Sequence, residues 1–232
     1  MSLQNKKAIV TGASKGIGLA ISKALLNEGV SVAGWSRSKP DYNHANFHHV
    51  AADLANEEEV EKAFWVSQDM LGKDIHFLIN NAGLGYRGAI EEMPIEKWKQ
   101  LFDINVHGLF YVTKRIVPEM KRMQEGHIIN IASGAGSNGI PNMVAYCGTK
   151  HAVVGISHSM HAELRNDGIK VSCLSPGSVY SDFEKNMGVE KSDKNKMMPE
   201  DIASAVIHAL NTSQNFHYVD MEVRPLQPNK KS

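Results

Sequence analysis

Short apolar runs alternate with longer segments in which apolar residues recur at helical spacing, and this pattern continues along most of the chain. The short runs predict buried strands, and the longer segments predict helices that pack on a sheet. The predicted strands are 7–10, 30–35, 47–50, 75–79, 127–131, 169–174 and 216–223. The predicted helices are 17–27, 57–71, two within 95–122, 144–166 and 199–210.

The alternation of strands and helices predicts an α/β fold, a doubly wound parallel sheet covered by helices on both faces. No shift in composition and no Pro- or Ser-rich linker divides the 232 residues, so we expect one domain over residues 1–232. Residues 181–198 break the pattern. They are polar and charged, and they predict a mobile surface loop.

The charge balance narrows the class of partner. Lys plus Arg number 25 and so do Asp plus Glu, so the net charge is zero, which argues against a nucleic acid or an anionic membrane surface. No apolar run is long enough for a bilayer span, and a strand predicted from residue 7 leaves no room for a signal peptide. Cys147 and Cys173 lie in unrelated segments, so we expect free thiols and a reducing cytoplasm.

Glycines follow the first predicted strand and open the first helix, at Gly12, Gly16 and Gly18. A backbone without side chains can approach a ligand closely, and a helix N-terminus offers free N–H groups and partial positive charge to a phosphate. The spacing G-x-x-x-G-x-G differs from the commonest dinucleotide fingerprint. A plain tight turn is the alternative, but the strand–turn–helix context favours a dinucleotide.

The end of the second strand predicts which dinucleotide is preferred. An acidic residue there would bind ribose hydroxyls and repel a 2′-phosphate, but this tip carries Ser36 and Arg37. Arg37 can pair with a phosphate, and Lys15 adds a second cation, so we predict NADP(H) over NAD(H). The alternative is that both are solvated surface charges. Asp53 is predicted either to approach the adenine or to cap the helix that follows.

Tyr146 and Lys150 stand four residues apart on one predicted helix, and so share a face. A free tyrosine has a pKa of about 10, and a neighbouring ammonium stabilises its phenolate. Ser133 ends the preceding strand, where its hydroxyl can reach a substrate carbonyl oxygen. This constellation predicts acid–base chemistry at a carbonyl or alcohol.

These motifs give the chain a resemblance to the short-chain dehydrogenase/reductase family over essentially its whole length. The residues that carry it are Thr11 to Gly18, Asp53, Asn80 to Gly83, Asn105, Ser133, Tyr146, Lys150 and Pro176-Gly177. The resemblance implies a Rossmann-like domain that assembles as a homodimer or homotetramer. It also implies hydride transfer between a nicotinamide and a small substrate.

The resemblance assigns roles residue by residue. Tyr146 would be the acid/base, Ser133 would orient the carbonyl, Lys150 would lower the tyrosine pKa and hold the nicotinamide ribose, and Asn105 would support a proton-relay water. Met143 is a predicted substrate-wall residue, beside Ser133 and Tyr146. The predicted cofactor contacts are Gly12, Ser14, Lys15, Gly16, Ile17, Gly18, Ser36, Arg37, Asp53, Leu54, Asn81, Ala82, Gly83, Tyr146, Lys150, Pro176, Gly177, Val179 and Ser181.

The substrate stays open at this point. A small carbonyl compound or 3-hydroxy acid is favoured, because the end of the chain lacks the Gly-rich finish of many acyl-carrier-protein reductases. A 3-oxoacyl carrier-protein reductase is the alternative, and Arg115, Lys121 and Arg122 are its candidate docking residues. A non-catalytic NADP-binding regulator is the third hypothesis. The histidines have no Cys or acidic cluster beside them, so we predict no metal.

Overall fold

The computed structural model of the protein describes residues 2–181, 183 and 195–226. Most of the loop predicted over 181–198 lies outside these described residues. No helix in the described ranges is both long and apolar enough to span a bilayer.

Seven parallel strands form one sheet, in the order β3-β2-β1-β4-β5-β6-β7. The strands are β1 (Lys7–Thr11), β2 (Ser31–Ser36), β3 (Phe47–Ala51), β4 (Phe77–Asn80), β5 (Gly126–Ile131), β6 (Ile169–Pro176) and β7 (Asp220–Val223). The predicted doubly wound parallel sheet is therefore confirmed. The order reverses between β1 and β4, so the chain leaves a crevice at the carboxyl ends of these strands.

Within the described residues, six α-helices connect the strands: α1 (Gly16–Asn27), α2 (Glu57–Leu71), α3 (Ile95–Phe102), α4 (Leu109–Met123), α5 (Val144–Leu164) and α6 (Pro199–Leu210). The bounds of α2 and α6 match the prediction at both ends. Asn56 caps α2, since its side chain accepts the backbone N–H groups of Glu58 and Glu59 at 2.9 and 3.2 Å. Pro199 opens α6, where a missing N–H costs nothing.

The core lies in two layers, one on each face of the sheet. On one face α1 and α6 pack through residues such as Ile21, Leu25 and Val206. On the other face α2 and α4 pack through residues such as Phe64 and Ile116. The strands read as continuous apolar runs because both of their faces are covered.

The segment predicted as two helices over 95–122 is nearly continuous. A π-helical turn, Asp103–Gly108, joins α3 to α4 and contains the buried Asn105. A π turn inserts an extra residue into the helix, and such turns are frequent at functional sites. Apolar periodicity alone could not locate this turn, because α3 and α4 keep helical spacing on both sides of it.

The last strand is shorter than predicted, since β7 begins at Asp220 rather than at residue 216. Phe216 and Tyr218 instead supply carbonyl groups to side chains of β6. Lys170 Nζ donates to the Phe216 carbonyl at 2.7 Å, and Ser172 Oγ donates to the Tyr218 carbonyl at 2.5 Å. These side-chain bonds replace the strand pairing that the apolar pattern predicted.

A histidine cluster fills the space beside this segment. His127 is 4 % exposed, and its Nε2 lies 2.8 Å from Ser172 Oγ. The ring of His217 lies 5.6 Å from that of His127 and 4.9 Å from that of His161. Burial lowers the pKa of His127 to about 3, and burial with neighbouring His161 lowers the pKa of His217 to about 4. Both rings are therefore neutral when the protein is folded.

The histidine cluster predicts a loss of stability in acid. The unfolded chain protonates His127 below pH 6.5 while the folded chain does not until about pH 3, so stability falls as the pH drops through this window. Losing about 2 kcal/mol at about pH 5 is expected from His127. Urea unfolding of the wild type and of His127→Gln, at about pH 5 and about pH 7.5, measures this loss.

His107→Gln is the matched control, because His107 is exposed and pairs with the exposed Asp103 at 3.1 Å. We expect His107→Gln to keep the wild-type loss of stability and His127→Gln to reduce it. An equal acid-side loss in wild type and His127→Gln would contradict the assignment.

Candidate active site

The candidate site is a cleft of about 840 Å³ at the carboxyl ends of the strands. It collects every residue predicted to touch cofactor or substrate except Gly18, which is buried in α1. Among the predicted catalytic residues, Ser133, Tyr146 and Lys150 line the cleft, and Asn105 does not. Asn105 lines a small cavity beneath it, of about 10 Å³, together with Lys150 and Asn80.

The glycine turn after β1 is closed by Asn81. Its Nδ2 donates to the Thr11 carbonyl at 2.9 Å, and Thr11 Oγ1 accepts the N–H groups of Asn81 and Ala82 at 3.0 and 3.1 Å. A Cβ at Gly18 would lie 2.3 Å from the Gly12 carbonyl oxygen. The backbone around Gly18 is so closely packed that no side chain fits at this position. The turn itself, at Gly12 and Gly16, lines the cleft at the N-terminus of α1.

Arg37 follows β2 and Lys15 lies in the glycine turn before α1, and both line the cleft wall. Both are exposed, and neither forms an ion pair within the described ranges. Ser36 also lines the cleft, but its hydroxyl donates to the Ser38 carbonyl at 2.9 Å, so its proton is already engaged. Ser38, which was not among the predicted contacts, lines the cleft as well and is exposed.

Asp53 lies on the cleft wall and does not cap α2. Its Oδ1 accepts the Ala55 N–H at 3.1 Å, while Asn56 fills the capping position. The capping alternative for Asp53 is therefore wrong, and the cleft alternative agrees with its position.

Lys150 is tied to the end of β5. The side chain is 5 % exposed, and its Nζ donates to the Ile131 carbonyl at 2.8 Å. The same Nζ lies 5.8 Å from the centre of the Tyr146 ring. Burial lowers the pKa of Lys150 to about 8.

Burial raises the pKa of Tyr146 to about 12, and a hydrogen bond from Ser133 works in the opposite direction. That Lys150 lowers this pKa stays a prediction. With its pKa raised by burial, Tyr146 is a neutral phenol and a proton donor at neutral pH.

Both polar atoms of the Asn105 side chain form hydrogen bonds within the protein. Its Oδ1 accepts the Leu84 N–H at 2.7 Å, and its Nδ2 donates to the Leu84 carbonyl at 2.9 Å and to Thr149 Oγ1 at 3.0 Å. The π turn therefore locks the loop after β4 to α5, next to Lys150.

At the substrate end, apolar side chains surround Tyr146. Met143, predicted from its position before the helix, packs in the same cluster as Tyr146, and Phe183 lies with its ring 5.7 Å from the tyrosine ring. Arg87 and Arg224 also line the cleft, and sequence reasoning did not select them as site residues. Arg224 follows the last strand, and its spacing from the motifs carries no signal.

With this geometry described, comparison with known proteins identifies the family. The short chain dehydrogenase family model matches residues 6–192. The chain belongs to the short-chain dehydrogenase family. The fold and the resemblance drawn from the motifs are confirmed.

Relatives of this short-chain dehydrogenase cover it almost from end to end. An uncharacterised oxidoreductase of Staphylococcus saprophyticus is 33 % identical over 97 % of this chain and 100 % of its own length. A serine dehydrogenase solved in its closed form with NADP+ superposes with a TM-score of 0.88 at 27 % identity, covering 94 % of both chains.

A second solved neighbour carries a different cofactor and a different name. The 3-ketoacyl-(acyl-carrier-protein) reductase of Brucella melitensis, solved with NADH, has a TM-score of 0.91 at 25 % identity and covers 98 % of this chain and 100 % of its own. The two neighbours hold NADP+ and NADH, so the choice of dinucleotide has to be argued from the residues of this chain.

The close packing of the glycine turn gives a prediction with an internal control. Gly18→Ala puts a Cβ 2.3 Å from the Gly12 carbonyl oxygen, whereas at Gly155, in α5, a Cβ meets nothing within 4 Å. We expect Gly18→Ala to destabilise the fold by about 1–3 kcal/mol. Gly155→Ala should stabilise the fold by about 0.5–1 kcal/mol, because alanine favours a helix more than glycine does and its Cβ has room at this position. Urea unfolding measures both, and effects of the same sign would contradict the analysis.

Proposed function

We propose that this short-chain dehydrogenase is an NADP(H)-dependent reductase of a small carbonyl compound, acting in reverse on a secondary alcohol. The observation that carries this is the group of half-buried Ser133 with buried Tyr146 and Lys150 on the wall of the cleft. Oxidoreductase names among the relatives support the reaction class.

The glycine turn, the N-terminus of α1 and the cations of the cleft fit a dinucleotide phosphate chain. The bound nicotinamide would supply the hydride for the carbonyl carbon. Ser133, which hydrogen-bonds to Tyr146, would donate to the carbonyl oxygen as negative charge develops on it. Tyr146, neutral at its raised pKa of about 12, would then give its proton to the new alkoxide.

Lys150 and Asn105 support proton return to Tyr146 in this proposal. The small cavity that both residues line is at the lower limit of the space that one water molecule needs. Asn80 adds an unpaired, buried Oδ1 to the residues that line this cavity. A water held there would pass a proton through Lys150 toward Tyr146, and Asn105, whose side-chain groups are already hydrogen-bonded, would fix the wall of the cavity.

The preference for NADP(H) rests on Arg37 and Lys15. Two exposed cations without described ion-pair partners face the same stretch of the cleft, and the tip of β2 has no carboxylate. A 2′-phosphate could accept both charges, and an arginine binds phosphate in a planar, bidentate manner.

The candidate docking residues for a carrier-bound thioester are ion-paired within the protein. Arg115 pairs with Glu61 at 3.0 Å, Lys121 with Asp167 at 3.0 Å, and Arg122 with Asp74. Exposed pairs of this kind are weak and exchangeable, so they do not decide between a free and a carrier-bound substrate. The small free carbonyl substrate is preferred because the end of the chain lacks the Gly-rich finish of many acyl-carrier-protein reductases, and a homodimer or homotetramer in the cytoplasm stays a prediction.

Replacing Tyr146, the proposed proton donor, tests the proposed carbonyl reduction. Tyr146→Phe removes the proton donor and keeps the ring, so turnover of a small ketone with NADPH should fall by about 10²- to 10⁴-fold. The affinity for NADPH, measured by fluorescence titration, should stay nearly unchanged. Tyr111→Phe, on α4 away from the cleft, is the matched control. Undiminished turnover in Tyr146→Phe would remove the catalytic assignment, and binding without turnover in the wild type would favour the regulator.

Reversing the charge at Arg37 tests the cofactor. Arg37→Asp should weaken NADPH by about 10- to 100-fold and leave NADH nearly unaffected, since only NADPH carries the 2′-phosphate. Titration of both dinucleotides measures the ratio, with Arg165→Asp, at the far end of α5, as the control. Equal losses for NADPH and NADH would exclude a phosphate contact.

A further inference from the structure

The cleft is strongly cationic although the chain as a whole is neutral. Its described lining residues include five cations (Lys15, Arg37, Arg87, Lys150, Arg224) and one carboxylate, Asp53. Three cations belong to the dinucleotide and the catalytic group as proposed above. Arg87 and Arg224 are left, and Arg224 lies beside Gly134 at the Ser133 end.

Arg224 is held against the backbone beside the catalytic serine. A Cβ built at Gly134, the residue after Ser133, would lie 3.1 Å from both terminal nitrogens of the Arg224 guanidinium. The Arg224 main chain is fixed in turn, because Gly177 N–H donates to the Val223 carbonyl at 2.7 Å. The guanidinium therefore lies over the backbone that presents the Ser133 hydroxyl.

Glu222 is the counter-ion of Arg224 within the protein, and a ligand anion can displace it. The Arg224 guanidinium pairs with Glu222, two residues earlier, and the two side chains are 49 % and 52 % exposed. An ion pair this exposed contributes only about 0–1 kcal/mol. A ligand carboxylate entering from the cleft can replace Glu222, since a guanidinium presents five N–H donors and binds carboxylates in a bidentate manner.

Arg87 is a weaker candidate for the same role. It is exposed, on the loop after β4, and no hydrogen bond or ion pair from its side chain is found among the described residues. Nothing in the structure fixes the position of its guanidinium relative to Ser133.

We propose that Arg224 binds the carboxylate of the substrate, which makes the physiological substrates short 3-oxo acids and their 3-hydroxy acid counterparts. The proposal rests on the hydride transfer proposed above: the ketone carbon gains the hydride, the ketone oxygen gains the Tyr146 proton, and the reduced nicotinamide is oxidised. Ser133 and Gly134 are adjacent, so a carboxylate close to the reacting carbonyl can reach Arg224 while that carbonyl meets Ser133. Arg224 is thus a specificity-determining residue.

The test compares an acid with its neutral ester on one carbonyl. The kcat/KM values for acetoacetate and for methyl acetoacetate are measured with NADPH, and their ratio is the readout. Arg224→Gln should lower the acid-to-ester ratio by about 10- to 100-fold, and Arg224→Lys should lower it less, because the charge stays. Glu222→Gln should raise the ratio, because it removes the competing carboxylate.

Arg122→Gln is the matched control. Arg122 is also about half exposed and ion-paired, at 52 % exposure, but it lies on α4 and does not line the cleft. It should leave the ratio unchanged. If Arg224→Gln lowered kcat/KM equally for the acid and the ester, or lowered neither, the ratio would not change and the proposal would be overturned. Circular dichroism checks that each variant is folded.

A binding measurement separates this proposal from the proposed function. Calorimetry of 3-hydroxybutyrate and its methyl ester with the protein in the presence of NADPH measures binding without turnover, because the reduced nicotinamide cannot accept a hydride from the alcohol. Acid binding that depends on Arg224 without reduction of either substrate would support the carboxylate site and overturn the reductase. Reduction of the ester with no preference for the acid would keep the reductase and overturn the site. No reduction and no Arg224-dependent binding would overturn both.

Discussion

The bond from the Lys150 ammonium to the Ile131 carbonyl organises the site. Ile131 ends β5, so this one contact at 2.8 Å joins the sheet to α5. Tyr146 lies one turn earlier on that helix, and Ser133 lies two residues beyond Ile131. If the bond were broken, a buried ammonium and a buried carbonyl would both lack a partner, at a cost that exceeds the gain from making an ordinary hydrogen bond. The relative position of the acid and the oxyanion donor is therefore set by an interaction that the fold cannot easily lose.

Burial acts on the two titrating groups in opposite directions, and this has chemical consequences. It disfavours charge on both, so the pKa of Lys150 falls to about 8 while that of Tyr146 rises to about 12. At neutral pH the phenol can therefore give a proton to an alkoxide. The hydrogen bond from Ser133 opposes the effect of burial and favours the phenolate that the reverse reaction needs.

The sequence predicted most of the fold because its elements are strongly marked. Buried parallel strands are continuous apolar runs, and α2 and α6 carry clear start signals at Asn56 and Pro199. The end of the chain was harder to predict, because residues 216–219 are apolar enough for a strand but bond to Lys170 and Ser172. Similarly, the π turn around Asn105 depends on side-chain bonds to Leu84 and Thr149, which lie far apart along the chain.

The candidate site likewise contains residues that the sequence could predict and residues that it could not. Residues in local motifs, such as Gly12 and Tyr146, could be predicted. The glycine spacing of a phosphate-binding turn and the four-residue spacing of one helix face each involve only a few neighbouring positions. Arg224 could not be found, because its relation to Ser133 comes from packing Gly177 against the last strand and not from any sequence spacing. The chain is neutral but the cleft is cationic: the charges balance in the composition but are separated in space, since Asp53 is the one carboxylate among the described residues that line the cleft. The residues that select a substrate are the ones that only the folded sheet brings together.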